Sequence, residues 1–480
     1  MTTTVNLHEP PDPDPIRLDV DVNVPPFVLH PTNRLFVGFD DATGERRWTN
    51  TLRDSLAIVG PPGYGKTAGV VIPNALSWDG PAVISSTRGD IFQATAAQRQ
   101  RLARPGGRVY VYDPFGSEPG VTSMGWAPHA GCRNAGIAYR RAAALTTLAA
   151  KGLSGETHWR TGASRILRGL FHAAALAGYD LSRIQSWLAR QELDEPVAIL
   201  RETLGAAEGW ADDLDGINAV ADRERSSFYS AAMVAIDATV EPTVLRNSVR
   251  DSFDVDHFLA TKSTLYVIGP KHLIESIAPL LIAIVESTTD AARELAAHSG
   301  GVLADPLLVV LDEIANTPIR SLPALVSEGG GAGITTIWAT QSLAFLRDRY
   351  GTEAAAGILA ATPAKIIQGG ASIDHDLNNV SSWAGDWREP STTAYSGGAR
   401  SGWRLTGQSG ELTTRRDTSR EHSIGTQYRP ILPPSAVQQL APLYGWLFYR
   451  SDPPVLVRTP PAVLIDGFAA VMTQPETTTP

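Results

Sequence analysis

The stretch that most constrains this chain is Ser55 to Val71, SLAIVGPPGYGKTAGVV. An apolar run, Leu56-Ala57-Ile58-Val59, reads as a buried strand. It enters Gly60-Pro61-Pro62-Gly63-Tyr64-Gly65-Lys66-Thr67, which fits G-x-x-x-x-G-K-[ST], and Ala68 to Leu76 continues as a helix. Strand, glycine-rich loop and helix in that order is the context a phosphate-binding loop requires. Gly60, Gly63 and Gly65 let the backbone curl so that its N–H groups face inward on phosphate oxygens. The helix start adds partial positive charge at the same point. Lys66 is expected to reach the β- and γ-phosphates, and the Thr67 hydroxyl to ligate Mg²⁺. A chance Lys-Thr after a glycine turn is a poor alternative, because Lys66, Lys151, Lys262, Lys271 and Lys365 are the chain's only lysines.

A chain of 480 residues exceeds one typical domain. The formal net charge of −9 makes the surface as a whole a poor polyanion binder. Any DNA contact must come from local Arg clusters or an inner channel. The single cysteine, Cys132, excludes an intramolecular disulfide and a Cys-based zinc site, and reads as a small buried hydrophobe in a reducing compartment. No run of 18 apolar residues occurs. The acidic, Pro-rich start, MTTTVNLHEPPDPDPIRLDVDV, lacks the charge and apolar order of a signal peptide. Residues 1–25 read as a disordered arm, and no transmembrane segment is expected.

From Phe36 onward, turn residues at Asp41-Ala42-Thr43-Gly44 predict a hairpin. Short apolar runs at 82–86 and 108–114, separated by a polar helix from Asp90 to Arg104, give strand-helix-strand alternation. That is the parallel α/β pattern. Between 125 and 255 the chain is Ala-, Leu- and Arg-rich, without convincing strand alternation. Trp159, Ala163, Ile166, Leu167, Leu170 and Phe171 recur at helical spacing. This reads as an all-α insertion that leaves and re-enters between strands of one sheet, so the core could close without it. Its arginines, Arg140, Arg141, Arg165 and Arg168 among them, are mixed with acids, and most of them read as solvated helix faces.

The α/β pattern resumes at Thr264-Leu265-Tyr266-Val267-Ile268, followed by a long helix from about His272 to Ala297. Pro306-Leu307-Leu308-Val309-Val310-Leu311-Asp312-Glu313 then ends an apolar strand in two acids, the second half of a P-loop ATPase site. Asp312 should hold Mg²⁺ through a water. Glu313 should polarise the attacking water as general base. The strand Ile334 to Thr340 runs into Gln341. In RecA-like ATPases a Gln at this place beside the acidic strand senses the γ-phosphate; an ordinary strand-end Gln is the alternative. A last core strand, 364–369, and a helix from Asp374 to Trp383 complete the sheet. Residues 385–427 are Ser/Thr/Gly-rich and read as a mobile loop. Trp387, Arg400, Trp403, Arg404, Arg415 and Arg416 there could stack on and neutralise single-stranded DNA, or the loop is a plain excursion.

Together GPPGYGKTAGVVIPNAL, AVISSTRGDIFQAT, VYVYDPFG and LVVLDEIANTPIRSLPALVSEGGGAGITTIWATQSLAFLRDRYG resemble the type IV secretion coupling proteins, the TraG/TraD-type conjugative DNA-transfer ATPases. The resemblance runs from about Phe36 to Pro460, and the DEIAN block is its most specific part. It implies a RecA-like P-loop NTPase core with a parallel sheet, interrupted by an all-α domain. The parts are core at 26–124 and 256–460, insertion at 125–255, and a disordered tail at 461–480. It also implies ATP and Mg²⁺ as cofactors, DNA and a relaxase as substrates, and secretion-channel proteins as partners. A hexamer at the cytoplasmic face of the membrane is expected, held there by a partner. The other readings are another P-loop DNA translocase, or a nucleotide-binding adaptor with little hydrolysis. The family pattern G-R-G-R-G carries an arginine finger where this chain has Gly329-Gly330-Gly331-Ala332-Gly333. The finger position is Gly330, and Arg320, ahead of Arg347 and Arg349, is the first substitute.

Overall fold

The computed structural model describes residues 29–149, 155–249, 251–370, 374–396 and 420–472. The N-terminal arm expected at 1–25 lies outside them, as do Arg400, Trp403, Arg404, Arg415 and Arg416.

The strands are β1 (Phe36–Asp40), β2 (Arg46–Trp48), β3 (Leu56–Val59), β4 (Ala82–Ser86), β5 (Val109–Tyr112), β6 (Thr264–Ile268) and β7 (Leu307–Leu311). They continue as β8 (Ile334–Thr340), β9 (Ala364–Gln368), β10 (Asp386–Ser396), β11 (Arg420–Pro430), β12 (Tyr444–Tyr449) and β13 (Val455–Arg458). Eleven of them form one sheet, ordered β2-β1-β13-β12-β9-β3-β8-β7-β4-β6-β5. From β9 to β5 every pairing is parallel, and β12, β13, β1 and β2 extend that sheet antiparallel. The short apolar runs become central strands because both faces are covered. Leu307, Val309 and Leu311 enter one core, and Leu308 and Val310 enter the other.

The helix after β3 opens with a π-helical turn, Thr67–Val71, and continues as Ile72–Ser77. Buried Asn74 fastens it to β1: its amide oxygen accepts from Phe36 N at 2.7 Å and its amide nitrogen donates to Phe36 O at 2.9 Å. Gly69 lies in the π turn, and a Cβ there would stand 2.0 Å from the carbonyl oxygen of Thr459. A main-chain oxygen cannot rotate aside. Gly69→Ala is therefore expected to lower unfolding stability by about 1–3 kcal/mol in denaturant titration. An unchanged midpoint would show that the loop after β13 yields.

Between β5 and β6 the regular elements of the described residues are all helices, from Ala135–Leu145 to Val255–Ala260. Its longest helix, Glu156–Ala177, buries Ala163, Ile166, Leu167, Leu170 and Phe171, the spacing read from the sequence. These helices do not form a detachable core. Their apolar residues join Leu280, Leu281, Trp338 and one face of the sheet in one continuous cluster. Excision at 125 and 255 would uncover the Ile274–His298 helix, so the core does not simply close without the insertion. Nor are all the arginines solvated. Arg141 is buried, donates to Pro128 O at 2.8 Å and Ser287 Oγ at 2.6 Å, and stacks 4.7 Å from the Trp126 ring. Arg165 and Arg168 both bind Asp213. Cys132 is buried as expected, its thiol pushed up to about 11 by burial.

Among the described residues one helix, Lys271–His298, is long and apolar enough to cross a membrane by length and composition, and 72% of its most apolar 18-residue window is buried inside the fold. Two expectations are corrected. The segment read as a mobile loop, 385–427, begins and ends in strands: β10 and β11 pair antiparallel from Asp386↔Pro430 to Ser396↔Arg420. Together with the Asp374–Ala384 helix they belong to a compact unit separate from the eleven-stranded sheet. The tail read as disordered, 461–480, contains a helix, Asp466–Met472. Ile465 and Phe468 are buried, with the Phe468 ring edge-on to Phe36 at 5.6 Å. An apolar pair in a Pro-rich setting gives too short a pattern to be read as a helix from sequence.

Candidate nucleotide site

The loop between β3 and its helix lies at the carboxyl edge of the parallel strands, where β7 and β8 also end. Gly63 and Gly65 hold φ of +84° and +91°, the left-handed region that turns successive N–H groups inward. Gly60 does not share that backbone. Its place needs smallness instead, since a Cβ would lie 2.7 Å from the Gln368 side chain. Gln368, at the end of β9, donates from Nε2 to Tyr64 O at 2.9 Å, and Leu443 N donates to the same oxygen at 3.1 Å. The loop's shape is thus fixed by two residues far along the chain.

Lys66 is buried and its Nζ donates to the carbonyls of Gly60 and, at 3.0 Å, Pro61. Burial draws its pKa down, and the charges of Glu313 and Asp312 pull it back up. The Thr67 hydroxyl donates to Asp312 Oδ1 at 2.8 Å. Ser86, at the end of β4, donates to Asp312 Oδ2 at 3.1 Å. Asp312 thus joins hydroxyls from two elements, and sequence reading missed Ser86 because a strand-end serine carries no local signal. Burial pushes the Asp312 carboxyl up, while the Thr67 and Ser86 hydroxyls pull it down. Burial likewise raises Glu313. Glu313 Oε1 accepts from Ala315 N at 3.4 Å, and the Gln341 side chain is close enough to draw the Glu313 carboxyl down against its burial. Lys66, Thr67, Asp312, Glu313 and Gln341 are therefore brought together.

The donor set fits Mg²⁺: hard oxygens from a hydroxyl and one carboxylate, with waters completing the shell. A buried carboxylate whose proton is held too tightly gains from a nearby cation.

The pH consequence has a definite sign. Asp312 binds its proton more tightly folded than unfolded. The stability this gives is complete below the ordinary value of 3.8 and is lost as pH rises through the higher folded value. Asn carries no such proton. Asp312→Asn, without nucleotide or Mg²⁺, should gain stability relative to the parent as pH rises from about 4 to about 7. Thermal melts across that range check it, and a constant difference would remove the burial account.

Other expected site residues lie elsewhere. Gly330 packs on the Arg53 backbone, and a Cβ there would stand 2.4 Å from Arg53 O, so the position is closed to an arginine without a shift. Arg320 is exposed, with its charge close enough to Glu286 and Asp290 to draw both carboxyls down against their burial. Trp387 is half-exposed on β10.

A parallel sheet with a lysine-bearing phosphate loop, a hydroxyl on the strand-end aspartate and an adjoining glutamate defines a P-loop nucleotide-binding protein of the RecA-like class. Residues 30–460 match the family described as Type IV secretory system Conjugative DNA transfer, and the chain belongs to that family. It is 23% identical over 305 residues to the conjugal transfer protein TraG of Agrobacterium fabrum, covering 62% of this chain and 45% of the relative. It is 26% identical over 276 residues to TraG of Escherichia coli, covering 53% and 42%. The chain thus spans less than half the length of these relatives. In fold it is similar to the bacterial conjugative coupling protein TrwBdeltaN70, with TM-score 0.65 at 16% identity over 91% of this chain and 89% of that one. The plasmid coupling protein TrwB in complex with ADP and Mg²⁺ matches with TM-score 0.60 at 17% identity, over 85% of each chain.

Proposed function

We propose that this protein hydrolyses ATP with Mg²⁺ and uses the energy to pass DNA, with a bound relaxase, to a type IV secretion channel. The observation that carries this reading is the convergence of Lys66, Thr67, Asp312, Glu313 and Gln341 at one sheet edge, in a chain of the conjugative DNA-transfer family. TrwB, a protein of similar fold, is described with ADP and Mg²⁺ and with a non-hydrolysable ATP analogue, which supports the cofactors. Lys66 would hold the β- and γ-phosphates, Thr67 and Asp312 the metal, and Gln341 would report the terminal phosphate to Glu313. Bound Mg²⁺ would offset the charge of the phosphates. Glu313 would take the proton of the attacking water. The working form is a homo-oligomer, a hexamer, on the cytoplasmic side of the membrane where ATP is available, in contact with channel proteins.

A second reading, a nucleotide-binding adaptor with little turnover, is favoured by one observation. The glycine at 330 is closed to the side chain that an arginine finger needs. ATPase assays on the full chain, with and without single- and double-stranded DNA, separate the two. DNA-stimulated turnover is expected. Tight ATP binding with no turnover under any of these conditions would favour the adaptor.

A further inference from the structure

We propose that Arg88, at the end of β4, is a cation supplied by the same chain to the terminal phosphate of bound ATP, held at the mouth of the site by Asp90 until the nucleotide arrives. The proposal rests on the hydrolytic reading and adds a residue to it.

Three geometric observations carry it. The Asp312 carboxylate accepts from Thr67 on one oxygen and from Ser86 on the other, so the end of β4 lies beside the metal position. The Arg88 N–H donates to that same Ser86 hydroxyl at 3.3 Å, which fixes the Arg88 backbone one hydrogen bond from the metal-holding pair. Its guanidinium is tied to the site's rim: Nε lies 3.3 Å from Asp90 Oδ2, with the Arg88 side chain 76% exposed. A surface pair of this kind holds weakly and can be exchanged for a phosphate. The Asp90 charge also reaches Asp312, raising its carboxyl, which places this ion pair within electrostatic range of the metal position.

Helix stability does not account for Arg88. It immediately precedes the Asp90–Leu102 helix, whose amino end carries partial positive charge. A cation there is unfavourable, whereas Asp90 in the first turn is favourable. The chemistry has a place for it. As water attacks, its oxygen forms the new bond to the γ-phosphorus and its proton passes to Glu313. The bond from the γ-phosphorus to the bridging oxygen breaks, and the electron pair leaves with ADP. Negative charge grows on the bridging oxygen while Lys66 faces the β- and γ-phosphates. With Gly330 closed to an arginine, Arg88 can supply the second positive charge without exchanging a proton.

The test uses the full chain with Arg88→Ala and Arg88→Lys. It measures Mg²⁺-dependent binding of fluorescent ADP and of a fluorescent non-hydrolysable ATP analogue, together with kcat and KM for ATP with DNA. Arg88→Ala should weaken the ATP analogue about tenfold while leaving ADP unchanged. It should lower kcat by about 10³-fold, and with chemistry that slow KM should rise in step with the analogue's dissociation constant. Arg88→Lys should recover part of both. An analogue-to-ADP ratio equal to the parent's would overturn the proposal. So would equal losses of melting temperature in Arg88→Ala and Asp90→Asn with that ratio unchanged, because Arg88 would then be a helix-end partner only. If the parent itself hydrolyses no ATP with DNA, the hydrolytic reading fails, and the binding ratio still decides Arg88. Should Arg88→Ala melt before it can be assayed, Arg88→Gln gives the same ratio with the stem kept.

Discussion

Lys66→Ala is expected to abolish measurable ATP hydrolysis, a loss of at least about 10²–10³ in kcat, while the fold persists. In the proposed mechanism the lysine is the charge that the phosphate loop brings to the β- and γ-phosphates. Without it the backbone N–H groups still bind, but the charge that develops on the phosphoryl oxygens is unmet. The loop does not need the lysine to keep its shape, because Gln368 and Leu443 hold Tyr64 O from outside. The side chain is also a buried cation whose partners are two carbonyls of its own loop, so its removal relieves burial as well as losing two hydrogen bonds. Melting within a few degrees of the parent, with no turnover, is the predicted pair of results. Parental turnover in Lys66→Ala would remove the site from the account.

Glu313→Gln should separate binding from chemistry. The amide keeps an acceptor for the Ala315 N–H and loses the base. Hydrolysis should fall by about 10²–10⁴-fold with ATP affinity retained or improved. The electrostatic reason is that a half-buried negative charge near the proposed phosphate position is gone. The parent's pH profile carries the same information. Burial raises the Glu313 carboxyl, and the base acts only when deprotonated, so kcat/KM should fall on the acid side above the ordinary Glu value of 4.5. That acid limb should vanish in the residual activity of Glu313→Gln. A mutant that keeps both rate and limb would mean that another group takes the proton.

The nucleotide half of the site was legible in the residues because its signals are local. A four-residue apolar strand, a glycine loop and a Lys-Thr pair fall within Leu56 to Thr67, and β7 ends directly on Asp312 and Glu313. Backbone curl and the alternation of buried strands are short-range consequences of residue type, so they survive without knowledge of the rest of the chain. The insertion was equally legible as helix, since Ala163, Ile166, Leu167, Leu170 and Phe171 repeat at helical spacing.

Partner choice was not legible. Nothing near Ser86 announces that its hydroxyl meets Asp312, 226 positions away, or near Gln368 that it braces Tyr64. Arg99 looked like one more charge on a polar helix. It is fully buried, donating to Trp78 O, Gly80 O and Thr264 Oγ1 where three segments meet. The pairing of 386–396 with 420–430 joins stretches that are individually polar, and the Phe468 ring packs on Phe36, more than 400 positions earlier in the chain. The sequence by itself determined the phosphate loop, the acidic strand and the alternation of α and β, because each is set by interactions within a few residues. The tertiary structure decided which hydroxyls reach the Asp312 carboxylate, whether position 330 admits a side chain, and that the insertion shares a core with the sheet. Those depend on contacts whose geometry exists only once distant strands have paired and desolvated each other.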